Sequence, residues 1–129
     1  MAFFHRIRIS SIRLVVLSFC IILMFCKPKK LNEADIAQIK AEAASIFKKY
    51  TIPTGFKTLY LEPNNSALIR MGIKGARLRV EGLYFVTSEY FVEERGYFIP
   101  RNNDQEFFSN TDPGYEILAP GLFYYRVKG

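Results

Sequence analysis

Hydrophobic positions along the chain fall into three regimes: an unbroken apolar run near the start, a stretch of helical period, and a long remainder of short apolar or alternating runs. The helical stretch is Leu31 to Tyr50. Ile36, Ile39, Ala43, Ile46, Phe47 and Tyr50 recur every three or four residues and line one face of a helix. Asn32 is a good N-cap with Asp35 three residues on, and Leu31 and Ile36 stand at the positions of a hydrophobic staple. Glu33 and Asp35 occupy the positive end of the helix dipole and Lys48 and Lys49 the negative end. Pro53, with Thr54 and Gly55, stops the helix. The stripe is too short for a coiled-coil seam, so it predicts a helix laid on a sheet.

After Gly55 the pattern turns to β. Phe56 to Glu62 reads as a strand, ended by the turn cluster Pro63-Asn64-Asn65-Ser66. Ala67 to Ile73 is expected to return as a strand, with Lys74-Gly75 turning the chain again. Ala76 to Glu81 alternates apolar and charged positions, which predicts a sheet with one wet face. Leu83 to Val86 continues that run without alternation, so cover is expected there on both faces. Tyr90 to Ile99 fits either one strand kinked at Gly96 or a hairpin turning at Glu93-Glu94-Arg95-Gly96. Loops at Pro100–Gln105 and Ser109–Gly114 precede two last strands, Tyr115–Leu118 and Leu122–Val127, split by Ala119-Pro120-Gly121. The expected fold class is α+β, one amphipathic helix at the start of the domain packed on an antiparallel sheet of about five or six strands.

The first regime is of another kind. His5, Arg6, Arg8 and Arg13 precede an apolar run from Leu14 to Phe25, and Cys26, Lys27, Pro28, Lys29 and Lys30 follow it. That order is the order of an export signal, and the run is shorter than the ~20 residues that span a bilayer. Leu23-Met24-Phe25-Cys26 resembles the lipobox of bacterial lipoproteins, an aliphatic residue three places before a cysteine. The resemblance covers these four residues and the leader before them, and nothing of the body. It implies that the Cys26 thiol takes a diacylglycerol and becomes the mature N-terminus. Residues 1–25 are then a signal peptide, residues 26–30 a lipidated cysteine with a cationic tether, and residues 31–129 a single domain. Phe25 departs from the box, which usually has Gly, Ala or Ser there. The alternative is an uncleaved single-pass anchor reaching back to Ile7, with Arg8 and Arg13 snorkelling.

Charge supports this division. The chain of 129 residues carries a net +6, yet from Leu31 onward 12 Lys/Arg face 12 Asp/Glu, so the excess lies in the first 30 residues. A basic nucleic-acid-binding domain is excluded on that ground. Beyond Cys26 there is no cysteine, and His5 is the one histidine. The domain therefore has no disulfide, no thiolate nucleophile, no Ser-His-Asp or Cys-His pair and no Cys or His metal ligand. Glu93-Glu94 and the group Asp104, Glu106 and Asp112 are the densest carboxylates. On a strand Glu93 and Glu94 point to opposite faces, and Asp104 and Asp112 sit in turn-forming loops. Neither a catalytic residue nor a cofactor or metal site is expected.

Aromatic content is the distinctive feature, with 16 Tyr or Phe after Leu31, partly as the doublets Tyr84-Phe85, Tyr90-Phe91, Tyr97-Phe98, Phe107-Phe108 and Tyr124-Tyr125. On a strand, a doublet puts one ring on each face. The rings fill a small core that lacks Trp, or Tyr84, Tyr90, Tyr97, Tyr124 and Tyr125 form a binding face for an envelope protein, a glycan or a lipid surface. The sequence thus points to a lipid-anchored protein of the cell envelope, held by its lipid and facing away from the cytoplasm at the outer membrane or cell surface. Its domain is expected to bind or scaffold rather than catalyse. A single-pass subunit of an envelope complex, and a carboxylate-dependent enzyme, are the alternatives.

Overall fold

A computed structural model describes residues 30–129 apart from 91, 104, 105, 108 and 109. The chain divides at Lys30 and Leu31 into two units, of which the second, Leu31–Gly129, holds every element below. Cys26 and the rest of the leader lie outside the described residues.

Helix α1 spans Glu33–Lys49, and the Asn32 side chain accepts the Asp35 backbone N–H at 2.7 Å as the cap the sequence predicts. Ile39, Ala43 and Ile46 are its buried residues. Leu31, Ile36, Phe47 and Tyr50 pack at the margin of the same core. The strands are β1 (Leu59–Leu61), β2 (Gly75–Leu78), β3 (Gly82–Tyr90), β4 (Glu93–Pro100), β5 (Gly114–Ala119) and β6 (Leu122–Lys128). They form one antiparallel sheet in the order β1-β2-β3-β4-β6-β5. The fold is of α+β type and mostly sheet.

Three expectations need correction. The strand expected over Ala67–Ile73 is instead a short helix, α2 (Ser66–Arg70). Asn65, read in sequence as part of a turn, accepts the Ala67 N–H at 2.9 Å and caps it. Leu68 and Met71, three residues apart, are both buried, a helical rather than a strand spacing. The strand expected from Phe56 begins only at Leu59, because Gly55 and Phe56 turn the chain before it. The region Tyr90 to Ile99 is a hairpin, but its turn precedes Glu93, so Glu93 to Gly96 are paired strand residues rather than the turn.

Register assigns the two faces. Leu83, Phe85, Tyr97, Ile99 and Leu122 project toward α1 and form the main core with Ile39, Ala43, Ile46, Leu68, Ala76 and Leu78. On the other face Tyr84, Phe98 and Tyr125 form a second buried cluster, joined by Phe107, Tyr115, Phe123 and Val127. Residues 82–86 of β3 are buried without a break, as their lack of alternation predicts, but they do not continue the run from Ala76: the chain turns between Arg79 and Gly82, and β3 pairs back antiparallel on β2. Phe107, on the connection from β4 to β5, is among the residues that cover this outer cluster.

Candidate functional site

The face of the sheet turned away from α1 carries the densest aromatic and ionic chemistry in the described residues. Ladder pairings place Tyr60, Arg77, Tyr84, Phe98, Phe123 and Ile117 in one row crossing all six strands. Phe98 is the hub. Its ring centroid lies 4.5 Å from that of Tyr84, 5.0 Å from Phe107 and 5.1 Å from Tyr115. Tyr84 meets Tyr125 edge-on at 4.9 Å. Tilted and edge-to-face contacts of this kind add to the area each ring buries.

The hydroxyls of these buried rings are satisfied. Tyr125 donates to Glu94 Oε1 at 2.7 Å, and Tyr84 donates to Glu81 Oε1 at 3.0 Å while sharing a 2.9 Å hydrogen bond with the Tyr115 hydroxyl. Burial, reinforced by Glu94, pushes the Tyr125 phenol far above its usual range. Burial, with Tyr115 and Glu81, does the same to Tyr84. Both stay protonated donors at any physiological pH and are unfit as bases or nucleophiles.

Beyond the rings lies an ionic network. Glu89 and Glu94 stand directly opposite each other on β3 and β4. Like charges so placed repel, and Arg77 on β2 bridges both, at 2.8 Å to Glu89 and in close contact with Glu94. Burial disfavours the Arg77 charge, but Glu94 and Glu89 outweigh it and hold the guanidinium more firmly protonated than usual. Arg77 also lies over the Tyr60 ring, 5.5 Å from its centroid.

Glu93 points to the opposite face from Glu94, as their adjacency on a strand predicts, and there Arg95 at 2.7 Å and Arg126 grip it. Hydrogen bonding to Arg95, opposed by partial burial and aided by Arg126, holds the Glu93 carboxyl below the ordinary carboxylate range. Because the folded value lies below the unfolded one, this pairing stabilises the fold fully above about pH 4.5 and is lost as pH falls through the folded value. Glu93→Gln is therefore expected to lower stability at neutral pH and to lose less on acidification. The check is the denaturant midpoint of both proteins at neutral pH and at about pH 3. Equal acid sensitivity in the two proteins would refute the coupling.

The five tyrosines expected to form a binding face do not share one. Tyr84 and Tyr125 lie buried on the outer face, while Tyr97 and Tyr124 belong to the core beneath α1. Of the five, Tyr90 alone is open, 70% exposed at the end of β3. Burial raises the Tyr97 and Tyr124 phenols as well. Sequence reasoning does not single out Arg77, Phe98, Tyr115 or Phe123 as site residues, nor Glu94 as a partner for a tyrosine. For Arg77 the signal is present in the charged positions of the alternating run Ala76 to Glu81. For Phe98 and Tyr115 it is hidden, because a ring's face depends on register.

Elsewhere a shallow depression between α1, α2 and β1–β2 is lined by Ile46, Leu61, Pro63, Leu68 and Phe85 and has room for little more than a water molecule. Among the described residues no three His, Cys, Asp or Glu side chains are grouped to hold a metal ion, and no helix is long and apolar enough to cross a membrane. Asp112 uses a carboxylate oxygen to accept the Lys128 backbone N–H at 2.9 Å, and Asp104 lies outside the described residues. No protein-family model, curated protein or solved structure matches this chain.

Proposed function

We propose that this is a lipid-anchored protein of the bacterial cell envelope whose domain, residues 31–129, binds or scaffolds a partner outside the cytoplasm without catalysing a reaction. The leader carries the reading: a basic start, a short apolar run, and Cys26 at its edge, followed within five residues by a compact unit that begins at Leu31. The anchor is the acylated cysteine, since each buried CH₂ contributes roughly 0.8 kcal/mol and several chains together make release negligible. The non-catalytic part is supported by the state of the polar groups. Arg77 engages Glu89 and Glu94, Arg95 and Arg126 engage Glu93, and Tyr84 and Tyr125 are locked as protonated donors. Such groups stiffen a sheet and are poorly placed to take up or release protons.

Metabolic labelling with a fatty acid in a bacterial host tests the anchor. The wild-type chain is expected to take label and to be shortened by its leader, and Cys26→Ser is expected to lose both. An unlabelled, full-length wild-type chain held in the membrane fraction would overturn the lipoprotein reading in favour of a single-pass anchor.

A further inference from the structure

We propose that the domain rests on an anionic lipid surface through one end of its sheet, with Phe56 and Val80 as the parts that enter the headgroup layer. Phe56 is 99% exposed, the extreme among the large hydrophobic side chains described. It follows Gly55, whose φ of 63° is a conformation that glycine adopts without strain. Lys57 N–H closes the turn on the Thr54 carbonyl at 3.4 Å, so Phe56 is held at the tip. Val80 sits in the two-residue turn between β2 and β3, closed by reciprocal backbone bonds between Arg79 and Gly82. A β-branched apolar residue is a poor choice at a turn tip, where Gly, Asn or Asp serve better. A local rule broken in this way, without gain to packing, marks a position used for something else.

Both tips lie at the same end of the sheet. Leu59 pairs with Leu78, so Phe56 stands three residues before that last pair of the ladder and Val80 two after it. The same end carries cations. Lys57 follows Phe56, Arg79 precedes Val80, and the Arg101 N–H bonds the Glu81 carbonyl at 2.9 Å, which brings the exposed Arg101 alongside the turn. Glu81, the acid of that turn, is engaged by Arg79 at 3.6 Å and by the Tyr84 hydroxyl. Over residues 31–129 positive and negative charges balance, so the grouping of Lys57, Arg79 and Arg101 here is local and not a reflection of net charge. Apolar tips among cations complement an anionic bilayer.

The tether keeps the domain close to the bilayer, and here the inference rests on the anchoring proposed above. From Cys26 to Leu31 is five residue steps, roughly 17 Å fully extended. A domain so held stays at the headgroups, and each cation near an anionic surface shifts the docked-to-undocked ratio about fivefold.

The chain has no tryptophan, so Phe56→Trp supplies a sole reporter. The full-length variant would be reconstituted into vesicles containing phosphatidylglycerol with brominated acyl chains, its retention verified by flotation. Blue-shifted, bromine-quenched emission is expected. Vesicles of phosphatidylcholine alone, or the added substitutions Lys57→Glu and Arg101→Glu, should abolish most of the quenching. Tyr90→Trp, at the far end of β3, should stay solvent-exposed and unquenched. A Phe56→Trp protein that floats with the vesicles while its indole emits as in water would overturn the docking and leave the anchor standing. Quenching at Tyr90→Trp in place of Phe56→Trp would overturn it equally. An unlabelled but membrane-held chain in the fatty-acid experiment, with quenching intact, would remove the lipid modification alone.

Discussion

Gly96→Ala is expected to destabilise the domain by at least about 3 kcal/mol, the upper end of what overpacking costs. Gly96 sits in β4 opposite Val86 and Tyr125, beside the irregularity between Val86 and Ser88 in β3. A β-carbon placed on it would overlap the Phe85 carbonyl oxygen and stand 3.0 Å from the Tyr125 ring. The first obstacle is backbone, which no rotamer change relieves. β3 and β4 would have to separate, and with them the central pairing of the sheet. A domain of this size holds on the order of 5–15 kcal/mol in total, so the variant is expected to be marginal or unfolded. Gly75→Ala is the control: its β-carbon would meet the Leu61 carbonyl oxygen at 3.6 Å, an ordinary contact, and its effect should stay within about 0.5 kcal/mol. Urea denaturation of the three proteins measures both. A Gly96→Ala midpoint equal to wild type would show that the strands are not so close.

Phe98→Ala is the second large effect. Its ring is fully buried on the outer face and touches Tyr84, Phe107 and Tyr115, so its loss leaves a cavity among rings that are themselves fixed. Truncating a buried Phe costs about 3–5 kcal/mol. The size of the loss distinguishes two views of the outer aromatics. If they are a second core, Phe98→Ala falls in that range, and Phe98→Leu, which keeps most of the volume, costs less. If they were a docking face open to solvent, truncation would cost under about 1 kcal/mol and the fold would tolerate it. The positions of Tyr84, Phe98 and Tyr125 support the first outcome.

The fold is legible in the sequence where signals are local and redundant. Helix α1 combines a stripe, a cap, a staple and oriented end charges, and each shows within a few residues. The strand pair β5 and β6 is legible because Pro120-Gly121 separates two short apolar runs. Helix α2 is not, since Ala67-Leu68-Ile69-Arg70 is too short for periodicity to tell helix from strand. Its short length is sufficient because Leu68 is buried in the core that α1 and the sheet form. The composition of Glu93-Glu94-Arg95-Gly96 places the hairpin turn too late in the chain, because it is the composition of a turn. Within the sheet, Arg77, Arg95 and Arg126 balance those glutamates, and the glycine admits a neighbouring strand.

By itself, then, the sequence determined the charge balance of the domain, the long helix ahead of the strands and the two-sidedness of the doublets Tyr84-Phe85, Tyr97-Phe98 and Tyr124-Tyr125. All of these follow from composition or from the period of side chains along one element. Only the tertiary structure decided which rings stand together, that Tyr84 and Tyr125 share a face from which Tyr97 and Tyr124 are turned away, and that Phe56 and Val80 come to the same end of the sheet. Those facts rest on register between strands far apart in sequence, and a slip of one residue would have exchanged every face.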